Sequence, residues 1–208
     1  MIEQRSDAWF AQRCGHLTAS RIADMMAKTK NGWGASRESY ADQLIAERLT
    51  GIVQPGFSNA AMQWGTETEP QARNAYEFIQ GETVVEAPFV LHPTIAWSGA
   101  SPDGFVGDKG LIEIKCPNTT THTATLEGKP IPDKYIKQMQ WQMACTETEW
   151  CDFASFDPRL PVHLQLHVTR VERNDALIAE IEAAAVEFLD EIAARIEKIE
   201  NTYRKTLS

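Results

Sequence analysis

The chain has 208 residues, of which 43% are hydrophobic and 24% charged, and its formal net charge at pH 7 is −9. This length and apolar content predict one well-packed domain over residues 1–208. The polar first residues do not resemble a signal peptide, and no apolar run is long enough to span a membrane. We therefore expect a cytoplasmic protein without a membrane partner.

The negative charge argues against loose binding to bulk nucleic acid. Its distribution weakens this argument, because residues 172–200 hold nine acids and three bases and leave a net charge of −3 for the rest of the chain. A protein that grips nucleic acid through a few positioned cations and a metal ion need not be basic overall. The cysteines form no Cys-x-x-Cys pair and are too dispersed for an iron–sulfur cluster, which predicts free thiols at Cys14, Cys116, Cys145 and Cys151.

The first third of the chain is predicted to be helical. Ser6 can cap a helix that ends near Arg13, and Thr18 can cap a second helix shortly after it. A polar loop with an exposed tryptophan follows over residues 28–35, and a third helix over residues 36–49 is stopped by a glycine. A fourth helical stretch covers about residues 59–79, although a proline within it is expected only near a helix start or at a kink.

The middle of the chain is predicted to form a sheet. Strand patterns cover residues 83–91, 97–98 leading into 103–106, 111–115, 151–156 and 162–168, and a helix is predicted over residues 134–145. Asn174 can cap an amphipathic last helix, since apolar residues then repeat at spacings of three and four. The order predicts an α/β fold, in which helices flank a mixed sheet and a long amphipathic helix over residues 172–200 ends the chain.

The segment Ser-Pro-Asp103-Gly, with Glu113-Ile-Lys115 after it, carries the strongest chemical signal. Asp103 lies at a bend between proline and glycine, and strand alternation turns Glu113 and Lys115 to one face. Two carboxylates and an ammonium group then converge, and hard oxygen ligands favour Mg²⁺ or Mn²⁺. Such an ion lowers the pKa of a bound water and neutralises charge on a phosphate, while Lys115 can orient or help to deprotonate that water. The pattern alone also fits a surface hairpin that happens to carry these residues.

Two helices offer further polar groups for the same chemistry. Glu67 and Glu69 are two residues apart, so only one can face the site, and Glu69 is the better candidate for an additional ligand or acid. Gln138 and Gln142 share one helix face, and a glutamine can hold a water or a phosphate oxygen. The alternative for both pairs is an ordinary solvated helix face.

A phosphate site is predicted between the first two helices. Arg13 stands at the end of the first helix and Ser20 near the start of the second. A guanidinium group, a hydroxyl group and a helix N-terminus together favour phosphate binding. The alternative is ordinary helix capping and surface charge.

Five motifs follow one another along the chain. They are Arg-x-Gly-x-x-Thr-Ala-Ser (Arg13 to Ser20), Trp-Gly-x-x-x-Glu (Trp64 to Glu69), Ser-Pro-Asp-Gly (Ser101 to Gly104), Glu-Ile-Lys-Cys-Pro (Glu113 to Pro117) and Gln-x-Gln-x-x-Met (Gln138 to Met143). In this order they resemble the phage lambda exonuclease family, the YqaJ-type viral recombinases, over about residues 7–171. Phe156-Asp-Pro-Arg159, which follows the fifth strand, is also familiar in these proteins.

The resemblance implies a restriction-endonuclease-like, PD-(D/E)xK fold in a Mg²⁺-dependent exonuclease, with Mn²⁺ as a substitute. Such enzymes degrade one strand of linear double-stranded DNA from a 5′-phosphorylated end. They form ring-shaped trimers and pass the 3′ overhang to a single-strand annealing protein in a bacterial host cell. The matched positions comprise the metal ligands Asp103, Glu113, Ile114 (through its carbonyl) and Glu69, the catalytic Lys115 and Gln138, and the 5′-phosphate pocket of Arg13 and Ser20.

Other functions are open at this point. A site- or structure-specific endonuclease can use the same metal core, and it would cut circular DNA. A non-catalytic module that binds DNA ends is a second alternative. A third is a scaffold that pairs through the apolar stripe of the last helix, although such a stripe more often packs in a core. The residues that split the duplex end stay unassigned, since residues 28–35 and 51–58 do not align with the family.

Overall fold

The computed structural model describes residues 4–30, 32–54 and 59–204. Asn31 of the predicted loop and residues 55–58 of the segment before the fourth helix lie outside the described residues. The helices are α1 (Asp7–Arg13), α2 (Ile22–Met25), α3 (Ala35–Thr50), α4 (Ala60–Gln80), α5 (Thr119–Leu126), α6 (Asp133–Thr146) and α7 (Asp175–Arg204). The strands are β1 (Leu17–Thr18), β2 (Lys28–Thr29), β3 (Gly32–Trp33), β4 (Val84–Val85), β5 (Val90–Leu91), β6 (Ser98–Ala100), β7 (Gly104–Val106), β8 (Gly110–Lys115), β9 (Trp150–Phe156) and β10 (Leu166–Glu172).

Five strands form the main sheet in the order β10-β9-β8-β7-β4. Strands β8 and β9 run parallel, and the other neighbours are antiparallel, so the sheet is mixed as predicted. A smaller sheet has the order β1-β6-β5, and β2 pairs with β3 in a hairpin. The structure confirms the predicted α/β architecture, in which helices flank a mixed sheet and a long helix ends the chain.

Helix α4 covers one face of the main sheet and α6 covers the other. Tyr76 of α4 packs against Ile112 and Ile114, whereas Met139 of α6 packs against Leu111 on the opposite face. This alternation follows from the period of two along β8. It leaves β8 buried throughout except at Lys115, where the strand reaches the edge of the core.

A second core lies between α2, α3, α6 and α7. The rings of Tyr40 and Phe188 stack with their centroids 5.7 Å apart, and Trp141 is fully buried beside them. The apolar stripe of α7 contributes to this core up to Ile196, which is partly buried, whereas Ile199 is 40% exposed. The stripe is therefore mainly core packing. No helix in the part of the chain described here is both long and apolar enough to cross a lipid bilayer.

Most predicted helix boundaries are confirmed by their caps. The side chains of Ser6, Asn59 and Asn174 each accept a hydrogen bond from a backbone N–H in the first turn of their helix. Gly51 and Gly81 end α3 and α4 with φ of 69°, a left-handed conformation that glycine adopts without strain.

One predicted helix cap is wrong, and a proline lies inside a helix. The side chain of Thr18 makes no capping bond, and a 3₁₀ turn over Ala19–Arg21 precedes α2. Pro70 lies inside α4 and not near its start. Because Pro70 and Thr66 are both exposed, water can solvate the Thr66 carbonyl that loses its N–H partner.

Two predicted strands are shorter than expected. Residues 83–91 split into β4 and β5, which join different sheets, because Pro88 between them has no N–H for a ladder. Residues 162–164 form a 3₁₀ turn, and β10 begins only at Leu166. There the side chain of Gln165 donates to the carbonyl groups of Pro158 and Leu160 and holds the turn in place.

Candidate active site

Strand β8 and the bend before β7 bring the predicted acids and the lysine together. Asp103 directly precedes β7, and its Oδ2 accepts a hydrogen bond from the backbone N–H of Ile114 at 2.6 Å. This bond fixes Asp103 against the strand that carries Glu113 and Lys115. The ammonium group of Lys115 donates to Oε1 of Glu113, so both side chains lie on the same face of β8.

Glu113 is held from above by α6. Only 1% of Glu113 is exposed, and its Oε1 accepts from Nε2 of Gln138 at 2.7 Å. Its Oε2 accepts from Nε2 of Gln142 at 2.6 Å. Gln140, between them, turns away and joins the carbonyl of Glu172 and the N–H of Asn174 at the start of α7. Two glutamines spaced by one helical turn thus grip both oxygens of one buried carboxylate.

The charges of this cluster are strongly coupled. Burial raises the pKa of Asp103 well above its usual value, and the charges of Glu113 and Glu69 raise it further. Burial lowers the pKa of Lys115, but the charges of Glu113 and Asp103 raise it more, so that it lies above its ordinary value. Lys115 is consequently an ammonium ion at neutral pH. It can donate hydrogen bonds and orient a water, but it is no base in this state.

Glu69 reaches the same cleft from α4. Its Oε1 lies 3.5 Å from a guanidinium nitrogen of Arg73, and its Oε2 accepts from Arg5. Arg73 also donates to the backbone carbonyl of Asp103 at 3.1 Å and thereby connects α4 to the bend. Glu67 points outwards instead and accepts from its neighbour Gln63, as expected for residues two apart on a helix.

The cluster opens into a cleft with a volume of about 790 Å³. Its walls include Glu69, Asp103, Ile114 and Lys115, whereas Glu113 lies beneath them. At one side the ring of Tyr135 stands 5.1 Å from the Lys115 ammonium group.

The donor atoms suit a hard divalent cation, although their present arrangement does not form a complete site. Within residues 4–30, 32–54 and 59–204, no three His, Cys, Asp or Glu side chains are grouped as metal ligands. The oxygens of Glu113 are occupied by Lys115 and the two glutamines, and those of Glu69 by two arginines. Carboxylates and a main-chain carbonyl are nevertheless the ligands that Mg²⁺ and Mn²⁺ prefer. Burial raises the pKa of Asp103 most, and a bound cation would relieve the repulsion from Glu113 and Glu69 that raises it further.

Arg13 and Ser20 line a second, smaller cleft of about 220 Å³. Arg13 donates to Oγ of Ser101 at 2.8 Å, and its guanidinium group lies 4.1 Å from the centre of the Trp9 ring. Burial lowers its pKa to about 10, so it stays charged at neutral pH. Because Ser101 begins the Ser-Pro-Asp-Gly bend, Arg13 connects this cleft directly to the segment that carries Asp103. Ser20 is exposed at the rim.

Several residues at the two clefts were not assigned by sequence reasoning. Gln142 shares the helix face of Gln138, and Arg73 stands one helical turn from Glu69, so spacing alone can indicate both residues. Arg5 and Tyr135 gave no signal, since only the fold brings them to the acids. Glu47, which lines the second cleft, is buried and accepts from the N–H of Gly15 at 2.7 Å.

Comparison with known proteins agrees with this geometry. Residues 8–149 match the YqaJ-like viral recombinase domain. The alkaline exonuclease LHK-Exo from Laribacter hongkongensis is 55% identical in sequence, with a TM-score of 0.89 over 97% of this chain and 100% of that one. The structure of LHK-Exo in complex with dAMP matches with a TM-score of 0.90 at the same identity and coverage.

Two more distant proteins also match, one by structure and one by sequence. A phage-related exonuclease from Haemophilus somnus 129PT has a TM-score of 0.64 at 16% identity, over 87% of this chain and 96% of that one. The uncharacterized protein R354 of Acanthamoeba polyphaga mimivirus is 27% identical over 166 residues, which are 73% of this chain. The aligned part spans only 29% of the length of that viral protein.

The family match covers residues 8–149 of 208 and includes the Arg13–Ser20 cleft, the acids and both glutamines. Together with the structural match, it confirms the predicted restriction-endonuclease-like fold. The chain belongs to the YqaJ-like viral recombinase family.

Proposed function

We propose a specific reaction for this nuclease: the Mg²⁺-dependent removal of nucleotides from the 5′ end of one strand of linear double-stranded DNA, which leaves a 3′ single-stranded overhang. The observation that carries the proposal is the cluster of Asp103, Glu113 and Lys115 beneath a cleft, with Gln138 on Glu113. The likeness to an alkaline exonuclease over the whole chain supports an exonuclease, and hence a DNA substrate.

Four groups are proposed to hold the metal: the carboxylates of Asp103, Glu113 and Glu69 and the main-chain carbonyl of Ile114. With Mg²⁺, or Mn²⁺ in its place, the site would gain charge neutralisation on the phosphate and a lower pKa for an attacking water. Arg5 and Arg73 now neutralise Glu69, and Lys115 neutralises Glu113. If these acids held a metal ion instead, the three cations would be free to contact the phosphate.

Lys115 and Gln138 are proposed to position the water. Both donate to the same oxygen of Glu113, so their N–H groups converge on one point at the floor of the cleft. Hydrogen bonds from an ammonium and an amide group to one water fix its orientation toward phosphorus. The water oxygen bonds to phosphorus and loses a proton while the bond from phosphorus to the 3′-oxygen breaks. The 3′-oxygen takes up a proton, so one water is consumed, and the released nucleotide keeps its 5′-phosphate.

Arg13 and Ser20 are proposed to bind the 5′-terminal phosphate of the strand that is degraded. Arg13 is charged, half-buried and fixed by Ser101, which lies two residues before Asp103 of the proposed metal site. A phosphate held in this cleft would place the first phosphodiester near the acids. Residues that separate the two strands of the duplex are not assigned by this proposal.

The proposed assembly and partners are those that the resemblance to the family implies. A ring of three chains around the duplex would let DNA contact only the inner wall, while the acidic α7 faces solvent, which favours processive cutting. The 3′ overhang would pass to a single-strand annealing protein in the cytoplasm of a bacterial host. The net charge of −9 is compatible with such a ring, because the segment of residues 172–200 carries a net charge of −6 and the rest of the chain only −3.

The released product tests the proposed chemistry. Purified protein and Mg²⁺ are incubated with linear duplex DNA, and the soluble products are separated by chromatography. Nucleoside 5′-monophosphates are expected, and none should form when EDTA replaces Mg²⁺. Oligonucleotides as the first products would indicate an endonuclease, and nucleoside 3′-monophosphates would contradict the proposed direction of bond cleavage.

A further inference from the structure

Two motif residues without an assigned role, Trp64 and Arg159, meet at the active-site cleft. Trp64 begins the Trp-Gly-x-x-x-Glu motif on α4, and Arg159 ends the Phe-Asp-Pro-Arg motif after β9. The guanidinium carbon of Arg159 lies 4.6 Å from the centre of the Trp64 ring. Both side chains line the same cleft as Asp103 and Lys115.

The topology of the sheet explains this meeting. Strands β8 and β9 run parallel, with Lys115 opposite Ser155, so the residues that follow both strands emerge at one edge of the sheet. This edge is the place where parallel strands usually present ligand-binding residues. Arg159 therefore stands beside the catalytic strand although it is distant from it in sequence.

Arg159 is fixed in place by a buried carboxylate. Its Nε donates to Oδ1 of Asp157 at 2.7 Å and its Nη2 to Oδ2 at 3.0 Å, a bidentate pair. The side chain of Asp157 is 0% exposed, whereas that of Arg159 is 47% exposed. Nη1 has no hydrogen-bond partner among the residues that the structure describes. The guanidinium group is thus oriented on one edge and stacked on one face, and a further donor is left for a ligand.

Arg159 also differs from the other cations of the cleft in where its counter-ion lies. The other cations in its wall, Arg5 and Lys115, are paired with Glu69 and Glu113 at the cluster itself. The counter-ion of Arg159 lies instead behind the wall, since Asp157 is not among the lining residues. An anion in the cleft meets the guanidinium group and not its carboxylate.

We propose that Arg159, held by Asp157 and stacked on Trp64, binds a backbone phosphate of the DNA strand that lies in the cleft. The inference rests on the proposed function, because it places a further substrate contact at the same site. Arg159 is a binding residue in this account, and the chemistry stays with the acids and Lys115.

The chain offers a matched control. Arg170 donates through Nε and Nη2 to the buried Asp152 at 2.9 and 3.0 Å, and it lies 3.5 Å from the centre of the Trp150 ring. Its side chain is 49% exposed, close to the value for Arg159. It stands toward the other end of β9, away from Ser155 and the cleft. Each arginine forms a bidentate pair with a buried aspartate and stacks on a tryptophan, but only Arg159 lines the cleft.

The test measures binding of a fluorescent linear duplex by anisotropy in EDTA, over a series of NaCl concentrations. We expect Arg159→Ala to raise the Kd about tenfold and to reduce the slope of log K against log salt by about one. Arg159→Lys keeps the charge but loses the bidentate pair and the stacking, so its Kd should fall between those of the wild type and Arg159→Ala. Arg170→Ala should keep the wild-type Kd and slope.

The outcomes separate the two proposals. If Arg159→Ala binds DNA as tightly as Arg170→Ala while the wild type binds and degrades duplex, the phosphate contact is refuted and the proposed function stands. If the wild type neither binds nor degrades duplex, both fail. Should Arg159→Ala not fold because Asp157 is left unpaired, the double variant Asp157→Asn/Arg159→Ala removes both charges. A raised Kd for the double variant would then support the phosphate contact, and a Kd equal to that of Arg170→Ala would refute it.

Discussion

At the scale of single residues, Lys115 is the side chain on which the proposed chemistry depends most. It is charged, and it donates to the buried carboxylate of Glu113. We expect Lys115→Ala to lower the rate of DNA cleavage by about 10²- to 10⁴-fold, because the attacking water loses an orienting donor. Binding of DNA in EDTA should change little. Single-turnover cleavage and anisotropy measure the two effects separately.

Lys109 provides the control for this variant. It lies in the turn between β7 and β8, is exposed and pairs with Glu149 at 2.7 Å. Lys109→Ala removes the same side chain from the same hairpin without touching the cleft, so its cleavage rate should equal that of the wild type. A Lys115→Ala protein that cuts as fast as Lys109→Ala would remove Lys115 from the mechanism.

Asp103 links the proposed metal site to stability. Its raised pKa means that ionised Asp103 destabilises the metal-free fold, so its contribution to stability is full at low pH and is lost as the pH rises through the folded-state pKa. Asp103→Asn removes the charge and keeps an acceptor for the Ile114 N–H. We expect the variant to raise the Tm without metal at pH 7.5 by about 2–6 °C and to lose this advantage at acidic pH.

The same variant reports on metal binding. Mn²⁺ should raise the Tm of the wild type, because a ligand that binds only the folded state stabilises it. Asp103→Asn should gain nothing from Mn²⁺ in a thermal melt and should show no binding heat by calorimetry. An equal gain in Tm for both proteins would place the metal elsewhere.

At the scale of elements, the stripe of α7 distinguishes core from surface. Ile192 is fully buried in the core shared with α3, whereas Ile199 is 40% exposed on the same helix. Ile192→Ala should lower the free energy of unfolding in urea by about 2–5 kcal/mol, since it leaves a cavity. Ile199→Ala should cost less than about 1 kcal/mol. Equal losses would mean that the end of α7 is also buried, for example against another subunit.

The elements also show which parts of the fold can be predicted from sequence. The central strand β8 and helix α6 follow from their periodicity, because local pattern and final burial agree there. Helix α5 was missed, since its threonines are poor helix formers. Tertiary contacts stabilise it: buried His122 donates to the Leu164 carbonyl at 2.9 Å and accepts from Ser155 at 2.7 Å. No local pattern encodes such contacts.

The candidate site also contains some contacts that can be predicted from sequence spacing and others that cannot. The grouping of Glu113 and Lys115, and that of Gln138 and Gln142, follows from strand and helix spacing alone. The pairing of Arg5 with Glu69 joins residues 64 positions apart, and the stacking of Arg159 on Trp64 also depends on the tertiary fold. Sequence spacing therefore predicted the centre of the site but not its rim.

At the scale of the whole molecule, the proposed exonuclease requires a free DNA end. The protein is incubated with Mg²⁺ and four DNAs: linear duplex with a 5′-phosphate, linear duplex with a 5′-hydroxyl, linear duplex labelled at its 3′ ends, and a covalently closed circle. The account predicts that the phosphorylated duplex is degraded fastest, that 3′-labelled single strands remain, and that the circle stays intact. A nicked or cut circle would contradict the requirement for an end, and loss of the 3′ labels first would reverse the proposed polarity.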